Sequence, residues 1–339
     1  MGEACCGTTN VQKHSTRSQR KTGVMNQLHA RRAELCLLVC VFSAVFIALD
    51  PFHLSILSAD PTFQAKRVPQ PPLSVLHSFP RDLESRLSRS RRWSVGGFMG
   101  PESIALDPTG GGPYTGVADG RIMKWHGPEV GWREFAYSSK NRNFFLLVLS
   151  GDDSGRVLKY DIKSGETSVV IEGLQFPNGV TLNKDESFLV ISESVTGRLL
   201  RHWLKGPRAG ETEVLVVLPG YPDNIRLNSD GDLWVAMHCR RNWISRFSGS
   251  HPWLRRAFLQ LPLPFTYIYK LFHGISPHGI LAKYTTDGDL EVFEDVSGSV
   301  VKYASEVDEH EGQLWIGSVL LPYISVHDLH KNSSLPDNV

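Results

Sequence analysis

A short Gly-Arg-aliphatic step returns along the middle of this chain at a nearly constant spacing, and that recurrence restricts the fold more than any single motif. It occurs at Gly120-Arg121-Ile122, Gly155-Arg156-Val157 and Gly197-Arg198-Leu199. Each copy runs into a basic or aromatic strand end, a charged turn and a β-rich segment such as Thr212 to Val217. Comparable points follow at Trp243 to Phe247 and at Gly279 to Tyr284, so successive offsets are 35, 42, about 46 and about 37 residues. Short strands at that pitch, parted by Gly, Asp, Asn and Ser turns, match the roughly 40 to 45 residues of a four-stranded propeller blade. Almost no helical periodicity interrupts them from Val95 to Leu329, so the body is expected to be all-β.

A second phrase occurs twice, as Phe176-Pro177-Asn178-Gly179-Val180 and as Tyr221-Pro222-Asp223-Asn224-Ile225. Both copies read as a tight polar turn, a short strand, a turn built on Asn, Asp or Gly, and another strand. They are one structural unit repeated.

The flanks are different in kind. Residues 1–34 are polar and basic without apolar periodicity and read as a disordered tail, followed from Leu35 to Leu49 by an unbroken weakly polar to apolar run that Pro51 to Leu57 extends. Behind a basic stretch, residues 35–57 are expected to be an uncleaved signal-anchor or a cleaved signal ending near Ser58-Ala59. Either delivers the rest of the chain to the secretory pathway, to the endoplasmic reticulum membrane or the vacuole. Residues 58–94 are rich in Pro, Ser and Arg and are expected to be a linker with one short helix near Asp82 to Leu87; the propeller would occupy 95–329, with a tail at 330–339. Only Cys239 falls in the folded part, which therefore has no internal disulfide, and Asn332-Ser333-Ser334 is a glycosylation sequon. With 36 basic against 35 acidic residues and no basic stripe, the chain lacks the footprint of a nucleic-acid binder. The partners expected are a membrane, through residues 35–57, and a small-molecule substrate of unknown identity.

Several long motifs in fixed order carry a family resemblance: GPESIALDP from Gly100, GRVLKYDIKSGETSVVIEGLQFPNGVTLNKDESFLVISES from Gly155, RLLRHWLKGPRAGETEVLVVLPGYPDNIRLNSDGDLWVA from Arg198, and YASEVDEHEGQLWIGSV from Tyr303. Over roughly 95–329 the chain resembles the plant strictosidine synthase-like proteins, which also resemble the adipocyte plasma membrane-associated protein and, more distantly, paraoxonases and lactonases. The resemblance implies a six-bladed β-propeller. It also implies a loss: relatives carry about 70 further residues, more than one blade, where Arg142 here runs into Asn143. A shortened ring is expected.

The same resemblance assigns roles residue by residue. The glutamate that acts as base in the true synthase falls on Ser305, which cannot replace a carboxylate near neutral pH. Neighbouring Glu306 faces the other way if strand alternation holds. A Ca²⁺ site at the channel mouth is implied for Glu102, Asn178, Asp223 and Asn224, weakened because one further ligand belongs to the missing segment. From the residues alone, Asn178, Asp223 and Asn224 could equally be turn formers. His278 and His310 lie beside turns and are candidate general bases for ester or lactone hydrolysis. The expected function is a strictosidine synthase-like propeller without the synthase base, acting as a Ca-dependent hydrolase of small esters or lactones; the alternative is a non-catalytic binding or scaffold propeller, or a truncated inactive product.

Overall fold

A computed structural model describes residues 29, 31–59, 63–106, 111–119, 121–137, 148–161, 163–273, 278–285 and 288–330. Asn332 lies outside these residues, as does the junction at Arg142. Contacts divide the chain into two units, Met1–Pro61 with Leu259–Leu263, and Thr62–Phe258 with Pro264–Val339. The first holds helix α1 (Arg31–Leu49), which is long and apolar enough to cross a membrane by length and composition. It stops at Asp50, whose carboxylate accepts the Leu54 and Ser55 amides at 2.8 and 3.2 Å.

The second unit contains the strands. Among the described residues they form four four-stranded antiparallel sheets and one of two strands. The first sheet is β2 (Ile104–Ala105), β3 (Tyr114–Gly116), β4 (Arg121–Trp125) and β5 (Trp132–Tyr137). The pair β6 (Gly155–Tyr160) and β7 (Thr167–Leu174) follows. Then come β8 (Pro177–Leu182), β9 (Phe188–Glu193), β10 (Arg198–Trp203) and β11 (Thr212–Val217), and next β12 (Gly220–Leu227), β13 (Leu233–Arg240), β14 (Gly279–Tyr284) and β15 (Leu290–Asp295). The last sheet joins β16 (Ala304–His310), β17 (Gln313–Ser318) and β18 (Tyr323–Asp328) to β1 (Arg91–Ser94) as its outer strand. Each full sheet is an up-and-down meander, and a strand from near the N-terminus completes the C-terminal one. That arrangement is a β-propeller's.

The Gly-Arg step explains the odd sheet. It opens the third strand of a blade in β4 and β10, and it also opens β6. The β6–β7 pair is therefore the outer half of a blade whose two inner strands are not in the sheet. One whole blade and half of another is roughly 65 residues, close to the shortening expected from the resemblance.

Three expectations are corrected. Trp243 to Phe247 is not a strand but the start of helix α3 (Trp243–Ser250), because Asn242 caps it by accepting the Ser245 amide at 2.7 Å. With α4 (Pro252–Gln260) and α5 (Phe265–His273) it forms a helical insertion between β13 and β14, which remain directly paired. The short helix expected near Asp82 to Leu87 is a 3-10 turn at Arg86–Arg89. Residues 58–94 are more than a linker: Phe63, Val68, Phe79 and Leu87 are buried, and Trp93 of β1 packs against Trp125, Trp132 and Trp315 with ring centroids 4.9 to 5.6 Å apart. The body begins well before Val95, with Phe63 and the other buried side chains that precede β1.

The core lies in apolar layers between successive sheets. Val190, Leu199, Ile225, Val235 and Ile280 fill one, joined by Phe79; Trp234, Leu281, Phe293, Val307 and Leu314 fill the next, joined by Leu87. Interdigitation of this kind leaves the inner strands β8, β12 and β16 in contact along one edge of the blades.

Candidate functional site

Those inner strands share an irregularity. Pairing register breaks between Pro177 and Val180 in β8, between Pro222 and Ile225 in β12, and between Ala304 and Glu306 in β16. Each break is a bulge, which re-aims the side chains at it. The residues so displaced are Asn178-Gly179, Asp223-Asn224 and Ser305. Glycine is needed where β8 meets β12, since a Cβ on Gly179 would lie 2.6 Å from the Ile225 amide nitrogen. Phe176 and Tyr303, just ahead of two of the bulges, hold φ of 56° and 53°, a strained left-handed backbone for bulky residues.

The bulges gather polar groups. The Asn178 amide donates to Asp223 Oδ1 at 2.6 Å, and Asn224 turns its amide to Ser103 Oγ at 3.3 Å. Glu102 is fixed through its backbone: its amide reaches the Gly116 carbonyl at 3.0 Å and its carbonyl accepts the Ser305 hydroxyl at 2.8 Å. Of the four residues expected to form the metal site, Glu102, Asn178 and Asp223 thus come together, while Asn224 is engaged beside them.

Electrostatics mark the cluster. Burial, and then repulsion from Glu102 and Glu306, push the Asp223 carboxyl well above the usual carboxylate range. Burial alone raises Glu102. Glu306, with no exposed side-chain surface, is raised by burial to about 7, although Arg226 sits 2.7 Å from Oε2 and pulls the other way. The alternation that would turn Glu306 away from the cluster fails because the bulge at Ser305 resets it. Sequence reasoning missed Glu306 for that reason, and no local signal marks a bulge of this kind.

An aromatic group lies within electrostatic range of Asp223. Tyr269 from α5 hydrogen-bonds His238 Nε2, and Tyr303 faces both rings, with centroids 5.3 Å from His238 and 6.1 Å from Tyr269. The Tyr269 phenol is held far above its ordinary range by burial first, with Cys239, Tyr303 and Asp223 adding to the effect. The helical insertion therefore brings Tyr269 within the field of Asp223.

The expected histidines go elsewhere. His278 lies ahead of β14 with Nε2 3.4 Å from Glu294 Oε2, a separation without hydrogen-bond alignment. Glu294 also meets Arg240 and, at 3.0 Å, Arg81; burial raises its carboxyl, but His278, Arg81 and Arg240 outweigh this and bring it to about 2. That is a structural ion cluster in the outer strands. His310 ends β16, exposed and 3.8 Å from Glu311, five residues along the strand from Ser305 and so about 17 Å from the bulge. Neither reaches the carboxylates.

Among the described residues no group of three or more His, Cys, Asp or Glu has the arrangement of a metal centre. By donor chemistry alone, two carboxylates and an amide oxygen suit a hard cation. Burial first, and the nearby Glu102 and Glu306 after it, force Asp223 toward protonation, a bias that a bound cation would relieve.

Comparisons with known proteins agree with the motif order. Residues 129–207 match the family model for strictosidine synthase, and residues 85–125 match that for the N-terminal part of strictosidine synthase-like proteins. Protein STRICTOSIDINE SYNTHASE-LIKE 3 of Arabidopsis thaliana is 37% identical, the alignment covering 84% of this chain and 96% of that protein. That alignment extends over 379 residues while drawing on 84% of a 339-residue chain, so roughly 90 positions of the relative face no residue here. The adipocyte plasma membrane-associated protein of Gallus gallus is 34% identical over 62% of this chain and 49% of its own length. A solved calcium-binding protein, regucalcin of Agrobacterium tumefaciens, overlaps 70% of this chain and 95% of its own at 12% identity and a TM-score of 0.42.

Proposed function

The chain belongs to the strictosidine synthase-like family, and from that membership we propose that it is a hydrolase of small esters or lactones working through Glu102, Asp223 and Glu306. The observation that carries this reading is that two buried carboxylates at bulged inner strands, Asp223 and Glu306, and the half-buried Glu102 ahead of β2 lie within one another's electrostatic range, with Glu306 poised at about 7. A base with a pKa near the working pH is substantially ionised and still able to take a proton.

In this reading Glu306, held by Arg226, takes a proton from water as the water oxygen bonds to the substrate carbonyl carbon. The same proton passes to the alkoxide oxygen when its bond to that carbon breaks. Tyr269, His238 and Tyr303 limit the water that reaches the carboxylates, which keeps the interior dielectric low and the electrostatics strong. A Ca²⁺ ion held by oxygens of Glu102, Asp223 and Asn178 would supply polarisation of the carbonyl. Condensation by the synthase's own glutamate is not proposed, because that position is Ser305 and its hydroxyl is engaged by Glu102.

The test uses the full chain, since β1 belongs to the body. Hydrolysis of an aryl ester and of a simple lactone is measured with and without Ca²⁺. Glu306→Gln is expected to lower the rate by a factor of about 10² to 10⁴, and Ca²⁺ is expected to raise the melting temperature of the wild type but not of Asp223→Asn. A second reading, a non-catalytic binding propeller, is favoured by the half-blade β6–β7, which leaves the ring short of one wall. Wild-type protein without turnover on either substrate class would overturn the first reading.

A further inference from the structure

The helical insertion carries a charge pattern unlike the rest of the chain. From Leu233 to Thr286 there is no Asp or Glu, while Arg240, Arg241, Arg246, Arg255, Arg256, Lys270 and Lys283 fall in the same stretch. The whole protein has a net charge of +1, so this segment concentrates positive charge that the remainder balances.

The same segment exposes large apolar side chains. Trp243 and Trp253 are 75% and 68% exposed, and Phe247, one helical turn beyond Trp243 on the same face of α3, is also exposed. Opposite α3 lies α2 (Leu73–His77), with Leu73 exposed and no buried residue in the helix. Between α2 and α3 runs a groove of about 570 Å³, with Leu73, Leu76, Trp243 and Phe247 among its walls and Arg241 and Arg246 on its polar side. Among the described residues its lining contains no carboxylate. Arg246 donates through Nη2 to the Pro71 carbonyl at 3.0 Å, while its Nη1 is shielded from solvent and has no hydrogen-bond partner among the described residues.

A buried guanidinium donor without an acceptor, set among aromatic and aliphatic walls, is matched by an anionic group on an apolar body. Trp and Phe beside arginine are also the composition of surfaces that lie in the interface of a bilayer. The chain supplies a reason for a bilayer to be near. The helix α1 is long and apolar enough to span one, and 13 residues separate Leu49 from Phe63, a contour of about 45 Å at most. A body so tethered meets the membrane surface at high effective concentration.

We propose that the α2–α3 groove and the exposed Trp243, Phe247 and Trp253 form a docking surface for anionic lipid, with Arg246 receiving a headgroup anion. This surface is separate from the Glu102–Asp223–Glu306 cluster, and the proposal stands or falls independently of hydrolase activity.

The test exploits the tryptophans. All eight lie in the body and none in α1, and only Trp243 and Trp253 are exposed. Full-length protein is placed in nanodiscs of phosphatidylcholine alone, or of phosphatidylcholine with phosphatidylserine, each with and without brominated acyl chains that quench nearby indoles. Quenching in the anionic discs, lost in the Trp243→Tyr/Trp253→Tyr double variant and reversed by added salt, is the expected result. Arg246→Gln is expected to shift the docked equilibrium about fivefold toward release. The wild-type salt titration needs no variant, so a misfolded substitution would not hide the answer. Equal quenching in neutral and anionic discs would overturn the role given to Arg246, and no quenching in either would overturn the surface. Loss of quenching on adding inorganic phosphate at constant ionic strength would mark a free-anion site, which also overturns the proposal.

Discussion

At the scale of single residues, Glu306 is the group that the proposed chemistry rests on. Its carboxyl is raised from an ordinary 4.5 to about 7, so between those values the folded protein binds a proton that the unfolded chain has released. The associated stability is complete below about pH 4.5 and is lost as the pH rises toward 7, a loss of roughly 3 kcal/mol for a shift of this size. Glu306→Gln should flatten that slope in denaturant titrations repeated across pH 4 to 8. As base, the same group should give a hydrolysis rate that climbs through about pH 7. Because Arg226 lowers the Glu306 pKa, Arg226→Gln should displace the limb to higher pH. An unmoved limb would remove Glu306 from the reaction. Little of this was legible in the amino-acid order. Glu102, Asn178 and Asp223 could be named because their motifs repeat or resemble known ones, whereas Glu306 was excluded by an alternation that one inserted residue undoes. His238 and Tyr269 are 31 positions apart and meet only because α5 folds back.

At the scale of elements, the bulges at Asn178, Asp223 and Ser305 bend three inner strands at one level, and close backbone approach holds them there. Gly179→Ala would drive a methyl group into the Asp223–Ile225 backbone, which cannot move aside as a side chain could. A loss of about 1 to 3 kcal/mol is expected in chemical denaturation, together with a fall in any Ca²⁺-dependent stabilisation as the Asn178–Asp223 contact loosens. The period of the strands was readable because turn residues punctuate them. The α3 helix was not: Trp-Ile-Ser-Arg-Phe alternates as a strand does, and it is the capping by Asn242 and packing against α5 that decide for helix. The segment before Val95 looked like a linker because Pro, Ser and Arg dilute its few apolar residues. Phe79 and Leu87 nevertheless complete two inter-sheet layers.

At the scale of the whole molecule, the last sheet joins the two ends of the body, and Trp93 is the group on which that junction packs. Trp93 is half-buried, so Trp93→Ala should destabilise by about 2 to 3 kcal/mol, below the range for emptying a fully buried tryptophan site, and thermal melting of the full-length variant would measure it. A shift of under a degree would mean that the first and last sheets are held by other contacts. The same junction has a consequence in time. Arg91 pairs with Val326, 235 positions later in the chain. At the usual pace of synthesis, on the order of 10 seconds to a minute passes between the appearance of one strand and the arrival of its partner. During that interval β1 is an orphan edge strand, and the charge of Arg91 and Arg92 is suited to keeping it from pairing with a neighbour. The blades can form in order as they emerge, but the last sheet is completed only when β18 reaches β1, the earliest strand made.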